Sequence, residues 1–332
     1  MVRHRWKIHK FGGSSLADAA CFRRVGNLLL GYSDVCMGVV VSAMGGMTDA
    51  LINLAVLAER DDRRYADELD AIGERYATTA RALLDGDNLV TLLDEWGKDA
   101  DDIRNVLQAI ALVKSAPQRS RDVVAGYGEI WSARMLAAFL HSESPERGGT
   151  WIDTRKIITV RQTELGPSVL WDESQARFNE NVPDDLTGIA VVTGFIASDE
   201  DDLQTTLGRN GSDFSAAIFA ALSGASELTI WSDVVGVMSA DPRQVPEAQV
   251  IDRLTYSEAM ELAYFGANVL HPQTLGPAVD NNIPVVIRNS HNPEHAGSRI
   301  EAQAEAIDGI KGITAIGGMA LVNLEGSGMI GV

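Results

Sequence analysis

The sequence predicts an α/β protein, and three observations carry that expectation. The order strand, glycine turn, helix occurs twice before residue 60. Two runs, Met37-Gly-Val-Val-Val41 and Gly188-Ile-Ala-Val-Val-Thr-Gly-Phe-Ile196, are apolar almost throughout, as strands buried on both faces are. Between them, apolar positions recur at intervals of three and four, the spacing of helices with one buried face. In folds of this rhythm, ligands bind at the carboxyl ends of the strands.

The chain opens with Lys7-Ile-His-Lys-Phe11, a short strand that runs into Gly12-Gly13. A helix over 15–31 follows, with Leu16, Ala19, Val25, Leu28 and Leu29 on its apolar face. Gly12 and Gly13 have no Cβ, so their amides can approach an anion closely. Ser14 or Ser15 is expected to cap the helix, whose free N–H groups and dipole favour negative charge. Lys10 adds a cation beside the turn. The stretch suits a phosphate, although the glycines alone would equally suit an ordinary βα corner.

The strand at 37–41 ends in Ser42-Ala-Met-Gly-Gly-Met-Thr48, a second small-residue turn, and a helix runs to about residue 60. Residues 61–142 read as mostly helical, with no proline before Pro117 and a dense acidic, solvated face. This insert is expected to stand as a subdomain or lid over one sheet edge. Gly126-Tyr-Gly-Glu-Ile-Trp-Ser132 opens or interrupts a helix reaching about residue 141. Short strands are expected at 150–152 and 157–160, a helix at 168–181, and one strong strand at 188–196. The acidic run 199–202 reads as a hairpin tip, with 203–207 returning into Gly208-Arg-Asn-Gly-Ser-Asp213 and a helix to about 223. A strand at 227–231 ends in Ser232-Asp233. Helices at 255–265 and 271–281 and a strand at 283–288 complete the series.

Composition narrows the function. The 332 residues allow one large or two medium domains. Forty-six acidic against 28 basic residues give a net charge of −18, which argues against nucleic acid and anionic membrane as partners. Cys21 and Cys36 have no metal-ligand spacing, which fits a reducing cytosol. No run approaches the ~18 apolar residues of a membrane span. His291 and His295 lie four apart but across Pro293, and no metal site is expected. Gly326-Ser-Gly-Met-Ile-Gly331 matches a dinucleotide fingerprint formally, but no helix follows it.

Several residues carry chemistry. Arg209 offers a planar fork for a carboxylate or phosphate. A cation at a helix N-terminus opposes the dipole, so capping does not explain it. Ser212 is a candidate cap, and Asp213 sits in the first helical turn. Glu129 is either a first-turn acid or a receptor for an ammonium group. Ser232 and Asp233 end a strand where ligands bind, and Arg243 suits either solvent or a polyphosphate.

Taken together, Lys10-Phe-Gly-Gly-Ser-Ser15, Val41-Ser-Ala-Met-Gly-Gly-Met-Thr48, Gly128-Glu129, Leu207-Gly-Arg-Asn-Gly-Ser-Asp213, Trp231-Ser-Asp-Val234, Ala240-Asp-Pro-Arg243 and Phe265-Gly-Ala-Asn-Val-Leu-His-Pro272 occur in the order found in aspartokinases. The resemblance covers about residues 7–300. The tail from Gly312 to Gly331 resembles the first strand and turn of the ACT regulatory domain in threonine-sensitive bifunctional aspartokinase/homoserine dehydrogenases. The resemblance implies the amino-acid kinase fold, a mainly parallel central sheet sandwiched by helices, with the insert at 61–142. Residues 1–300 would form the catalytic domain, and 301–332 a linker and the first strand of a truncated ACT domain. Little or no inhibition by threonine is then expected.

The implied reaction is phosphorylation of the β-carboxylate of L-aspartate by ATP, giving 4-phospho-L-aspartate in the cytoplasm. It is the first step toward lysine, threonine and methionine, and it needs no covalent enzyme intermediate. Mg2+ would be held mainly by the nucleotide phosphates. Carried over position by position, Lys10 would stabilise the transferring phosphoryl group, and Asp213 would orient Lys10 from within a few ångströms. Gly12, Gly13 and Ser14 would cradle phosphates. Arg209 and Ser212 would hold the α-carboxylate of aspartate, Glu129 its ammonium, and Thr48 would hydrogen-bond the substrate. Ser232, Asp233, Met238 and Arg243 would line the nucleotide pocket. Asn268 replaces a lysine common in the family and puts ATP affinity in question. Met238 stands where an aromatic residue is usual, and Asn210 replaces a glycine in a turn that asparagine tolerates. The family self-associates largely through a region missing here, so a homodimer weaker than in longer relatives is expected. Two alternatives remain: a kinase of the same fold with another carboxylate, carbamate or nucleotide acceptor, and a non-catalytic ATP or amino-acid binding remnant.

Overall fold

The computed structural model describes residues 6–34, 36–264, 272–304 and 309–315. In chain order the elements are β1 (Lys7–Phe11), a 3₁₀ turn (Gly13–Leu16), α1 (Ala19–Gly31), β2 (Cys36–Val41), α2 (Met47–Glu59), α3 (Arg64–Leu83), α4 (Gly86–Val113) and α5 (Gln118–Glu143). There follow β3 (Gly149–Ile152), a second 3₁₀ turn (Thr154–Lys156), β4 (Val160–Thr163), β5 (Gly166–Val169), α6 (Trp171–Asn181), β6 (Gly188–Thr193), β7 (Ile196–Ser198), β8 (Gln204–Thr206) and α7 (Gly211–Ser223). The last are β9 (Glu227–Ser232), β10 (Arg253–Thr255), α8 (Tyr256–Tyr264), α9 (Pro272–Asp280), β11 (Val285–Asn289) and β12 (Ser298–Glu301).

One eight-stranded sheet organises them, in the order β10-β12-β11-β9-β1-β2-β6-β3. The run from β11 to β3 is parallel, and only the β11–β12 pairing is antiparallel. β1 lies near the middle, with Lys10 level with Val40 on one side and Ile230 on the other. Parallel strands must be covered on both faces, and two apolar clusters do this. Phe11, Val39, Val41, Val191 and Trp231 meet Phe22, Leu51, Tyr76, Trp131 and Leu136 on one face. Ile8, Val40, Val192 and Ile230 meet Phe178, Phe219, Tyr256 and Ala278 on the other. Gly38 is required in β2, because a Cβ there would stand 2.7 Å from Ile8 Cδ1 and 3.0 Å from the Phe219 ring.

Several expectations need correction: the strand expected at 157–160 falls at Val160–Thr163, and the helix expected at 168–181 begins only at Trp171, after β5. The insert does not stand off as a lid: Tyr76, Leu92, Ile103 and Trp131 belong to the same core as the sheet face. The glycines of Gly126-Tyr-Gly128 do not open or break a helix, since α5 runs through them from Gln118. The strand expected at 188–196 is divided. At Gly194 a Cβ would lie 2.6 Å from Val41 O, and Phe195 turns left-handed (φ 67°) to start the β7–β8 hairpin. Finally, neither Ser14 nor Ser15 caps α1; Asp18 does, accepting from the Cys21 amide at 2.9 Å. The tail expected to form an ACT strand lies largely at 316–332, outside the described residues.

His9 projects from β1 into the face opposite Lys10. It is fully buried, its Nδ1 accepts from Trp231 Nε1 at 3.2 Å, and Nε2 has no partner. That bond favours neutral imidazole, and burial, outweighing the opposing pull of the Asp34 carboxylate, drives its pKa from 6.5 down to about 4. The unfolded chain therefore takes up a proton between these values that the folded chain refuses, so stability falls as pH drops through that window. We expect the unfolding free energy to lose about 2 kcal/mol from this group between pH 7 and 5. Denaturant titrations of wild type and His9→Gln check this, with the variant showing the shallower acid slope.

Candidate active site

A cavity of about 810 Å³ opens where β1, β2 and β8 end. Lys10, Gly12, Gly13, Thr48, Glu129, Arg209, Ser212 and Asp213 all line it. The sequence therefore scatters, and the fold gathers, eight of the residues singled out above. Two helix N-termini, those of α2 and α7, open onto the same space, as does the 3₁₀ turn after β1. Their free N–H groups favour anions there.

Lys10 is 9% exposed, and its ammonium lies 2.7 Å from Asp213 Oδ1 in the first turn of α7. The Gly208-Arg-Asn-Gly turn reaches α7 through left-handed residues at Gly208 (φ 71°) and Asn210 (φ 55°), which leave Arg209 exposed at the cavity wall. Asn210 is thus in the conformation the sequence anticipated. Ser212 is 8% exposed and caps nothing, because α7 starts from Asn210 without a side-chain cap.

Glu129 sits in the middle of α5, 3% exposed. Ala43 and Thr48 supply hydrogen bonds to its carboxyl group, while Oε2 has no partner among the described residues. Burial pushes its pKa up to about 8. Gly128 makes this placement feasible, since a Cβ there would come within 2.9 Å of Ala43 Cβ. Gly13 and Gly45 likewise let the first two turns touch: a Cβ on Gly13 would lie 3.0 Å from Ala43 O, and one on Gly45 3.1 Å from Gly13 O.

Other wall residues escaped the sequence reading: Met44, Gln118, Arg121, Asp122, Phe195 and Thr206. Asp122 accepts from Gln118 Nε2 at 2.8 Å and from Thr206 Oγ1 at 3.3 Å, joining α5 to β8. Arg121 is held by Glu59 at 3.1 Å. Pro117, a proline just before a helix, was the available signal that α5 begins there.

The remaining candidates lie outside this cavity. Ser14 is exposed beside it. Ser232 follows Trp231, the partner of Phe11, so it stands one step along from the first glycine turn. It donates to Asp233 Oδ1 at 3.1 Å, while Asn289 Nδ2 donates to Asp233 O at 2.8 Å. Met238 is half-buried, and Arg243 points into solvent, held by Asp241 at 2.9 Å. Asn268 lies outside the described residues. Among the described residues, no group of three or more His, Cys, Asp or Glu is arranged to hold a metal ion. No described helix is long and apolar enough to cross a membrane.

A buried carboxyl group with an unpartnered oxygen should titrate late. We expect the Glu129 carboxyl to ionise near pH 8 in the unliganded protein, read as a carboxylate band absent from Glu129→Gln in infrared difference spectra. Ionisation in the ordinary range near 4.5 would mean that a cation already faces it.

Comparison with known proteins fits this geometry. The amino acid kinase family profile matches residues 5–289. The chain is 41% identical over 336 residues to the chloroplastic bifunctional aspartokinase/homoserine dehydrogenase 2 of Zea mays, covering 98% of this chain and 36% of that protein. It is 34% identical over 320 residues to the bifunctional aspartokinase/homoserine dehydrogenase 2 of Escherichia coli K12, covering 96% and 38%. The chain thus spans little more than a third of these relatives. Among solved structures, E. coli aspartokinase III in complex with aspartate and ADP superposes with a TM-score of 0.80 at 30% identity, covering 90% of this chain and 65% of that one.

Proposed function

Because the chain belongs to the amino acid kinase family, we propose that it is an aspartate kinase, transferring the γ-phosphoryl group of ATP to the β-carboxylate of L-aspartate. One observation carries the reading: Glu129, a buried carboxyl group that meets no cation among the described residues, and a buried cation, Lys10, line the same cavity. An amino acid whose ammonium meets Glu129 and whose far carboxylate reaches Lys10 completes both.

In this reading one oxygen of the substrate β-carboxylate attacks the γ-phosphorus as the bond to the ADP oxygen breaks. The attacking group is already an anion, so no base has to remove a proton. What the protein supplies is alignment and charge stabilisation. Lys10 neutralises the oxygens of the moving phosphoryl group, and Asp213 holds the ammonium in position. The amides of Gly12 and Gly13 add donors beside it. Arg209 binds the α-carboxylate, with Ser212 and Thr48 completing the substrate contacts. Ser232, Asp233, Met238 and Arg243, at the end of β9 and beyond, take the nucleotide. Mg2+ would accompany the nucleotide phosphates and offset their charge. The buried thiols of Cys21 and Cys36 suit a cytoplasmic setting.

The test is aspartate-dependent ATP turnover, with the acyl phosphate trapped by hydroxylamine as the hydroxamate. Lys10→Ala should lower the rate by at least ~10²-fold, as loss of an oxyanion donor does. Normal turnover in that variant removes Lys10 from its role, and turnover with another acceptor but not aspartate removes the substrate.

Glu129 adds a pH signature. Below its pKa of about 8 the free site holds a proton that the incoming ammonium must displace. Aspartate binding at pH 7 should therefore release close to one proton, and aspartate affinity should rise as pH climbs toward 8. Calorimetry in buffers of different ionisation enthalpy measures this; Glu129→Gln should release none and bind aspartate at least ~10-fold more weakly.

A further inference from the structure

The described segment Gly309–Ala315 packs against the part of the molecule assigned above to the nucleotide. Residues 237–239 and 249–251 form a narrow ladder that closes the loop carrying Arg243. In it Ile251 N donates to Val237 O, and Ser239 N donates to Gln249 O, both at 2.8 Å. The far segment adds a third rung, with Ile313 N donating to Ser239 O at 2.8 Å. Gly312 packs closely there, since a Cβ would lie 3.3 Å from Ser239 O and 3.4 Å from Leu262 Cδ2.

A charged contact fixes the other end of the segment. The Lys311 ammonium lies 2.8 Å from Glu258 Oε1, and the Lys311 side chain is only 12% exposed. Glu258 also accepts from the Thr255 amide at 2.8 Å, while Thr255 Oγ1 accepts from the Glu258 amide at 3.2 Å. That reciprocal pair starts α8 without help from lysine. The lysine is therefore an additional contact, and its effect is to bind a distant stretch of chain to the start of α8 and the Ser239 ladder together.

We propose that Lys311 is a positioning residue for the nucleotide: through Glu258 and the Ser239 ladder, the 309–315 segment fixes the loop that carries Met238 and Arg243. This rests on the reading of those two residues as nucleotide contacts. Release of the strap lets the loop move without touching the aspartate end of the cavity, which is built from β1, α2, α5 and α7.

The experiment compares Lys311→Met, Lys311→Arg, Thr255→Ala and Arg243→Ala in the full chain, with KM for MgATP, KM for aspartate and kcat measured for each. Circular dichroism confirms that each variant is folded. Lys311→Met should raise KM for MgATP at least ~5-fold, with KM for aspartate and kcat within about twofold of wild type, and Lys311→Arg should restore it. Thr255→Ala weakens the α8 start but keeps the strap, so it should lower thermal stability without that selective effect. An unchanged KM for MgATP in Lys311→Met, or a parallel rise in both KM values, overturns the inference. If Arg243→Ala raises KM for MgATP while Lys311→Met does not, the strap fails and the nucleotide reading stands. If Arg243→Ala leaves KM for MgATP unchanged, both fail.

Discussion

The contact between Lys10 and Asp213 is the constraint from which the rest of the site follows. A lysine ammonium near the centre of a parallel sheet is stable only if an anion meets it, because stripping water from a lone charge costs several kcal/mol. β1 places the cation at the carboxyl edge of the sheet, and α7 places the anion 2.7 Å away. The geometry demands that the chain between β8 and α7 turn sharply, which explains the left-handed residues at Gly208 and Asn210. The same turn leaves Arg209 facing the cavity. One ion pair thus fixes the first strand, the seventh helix and the arginine between them.

Close approach of backbone supplies the other half of the construction. The first two glycine turns meet through Gly13 and Gly45, and α5 meets the second turn through Gly128. Gly126 lets the same helix accept the β8 side chain Gln204, whose Nε2 would be 2.3 Å from a Cβ at that position. These contacts bring Glu129 onto the cavity that Arg209 also lines, and among the described residues no cation pairs with it. An acid buried in this way holds its proton well above the ordinary carboxylate range, which is what the proposed exchange with a substrate ammonium requires. His9, on the reverse face of the same strand, is the opposite case: a base held neutral by burial and by the Trp231 hydrogen bond.

Much of this was legible in the sequence. The parallel strands announce themselves by apolar runs, and the turns by glycine, so β1, β2, β9 and α7 fall where the pattern puts them. What escaped has physical reasons. Gly126 and Gly128 look like helix breakers, yet in α5 they serve contact with other elements, which no local rule reveals. β10, at the sheet edge, and β12 beside it are short strands carrying Arg253, Arg299 and Glu301, so they read as polar loop. Gln118, Arg121 and Asp122 reach the cavity only because α5 crosses the end of β8, a tertiary fact. The residues proposed for the nucleotide are spread over loops after β9, where Arg243 is paired to Asp241 in solvent.

The central claim is that Asp213 acts through Lys10, orienting a cation that faces the phosphoryl group. A double-mutant cycle on aspartate-dependent kcat/KM tests it most directly. If the two side chains work as one unit, Lys10→Ala/Asp213→Ala should be no slower than Lys10→Ala alone, within about threefold. Fully additive losses would mean that the two residues act independently and would contradict the account.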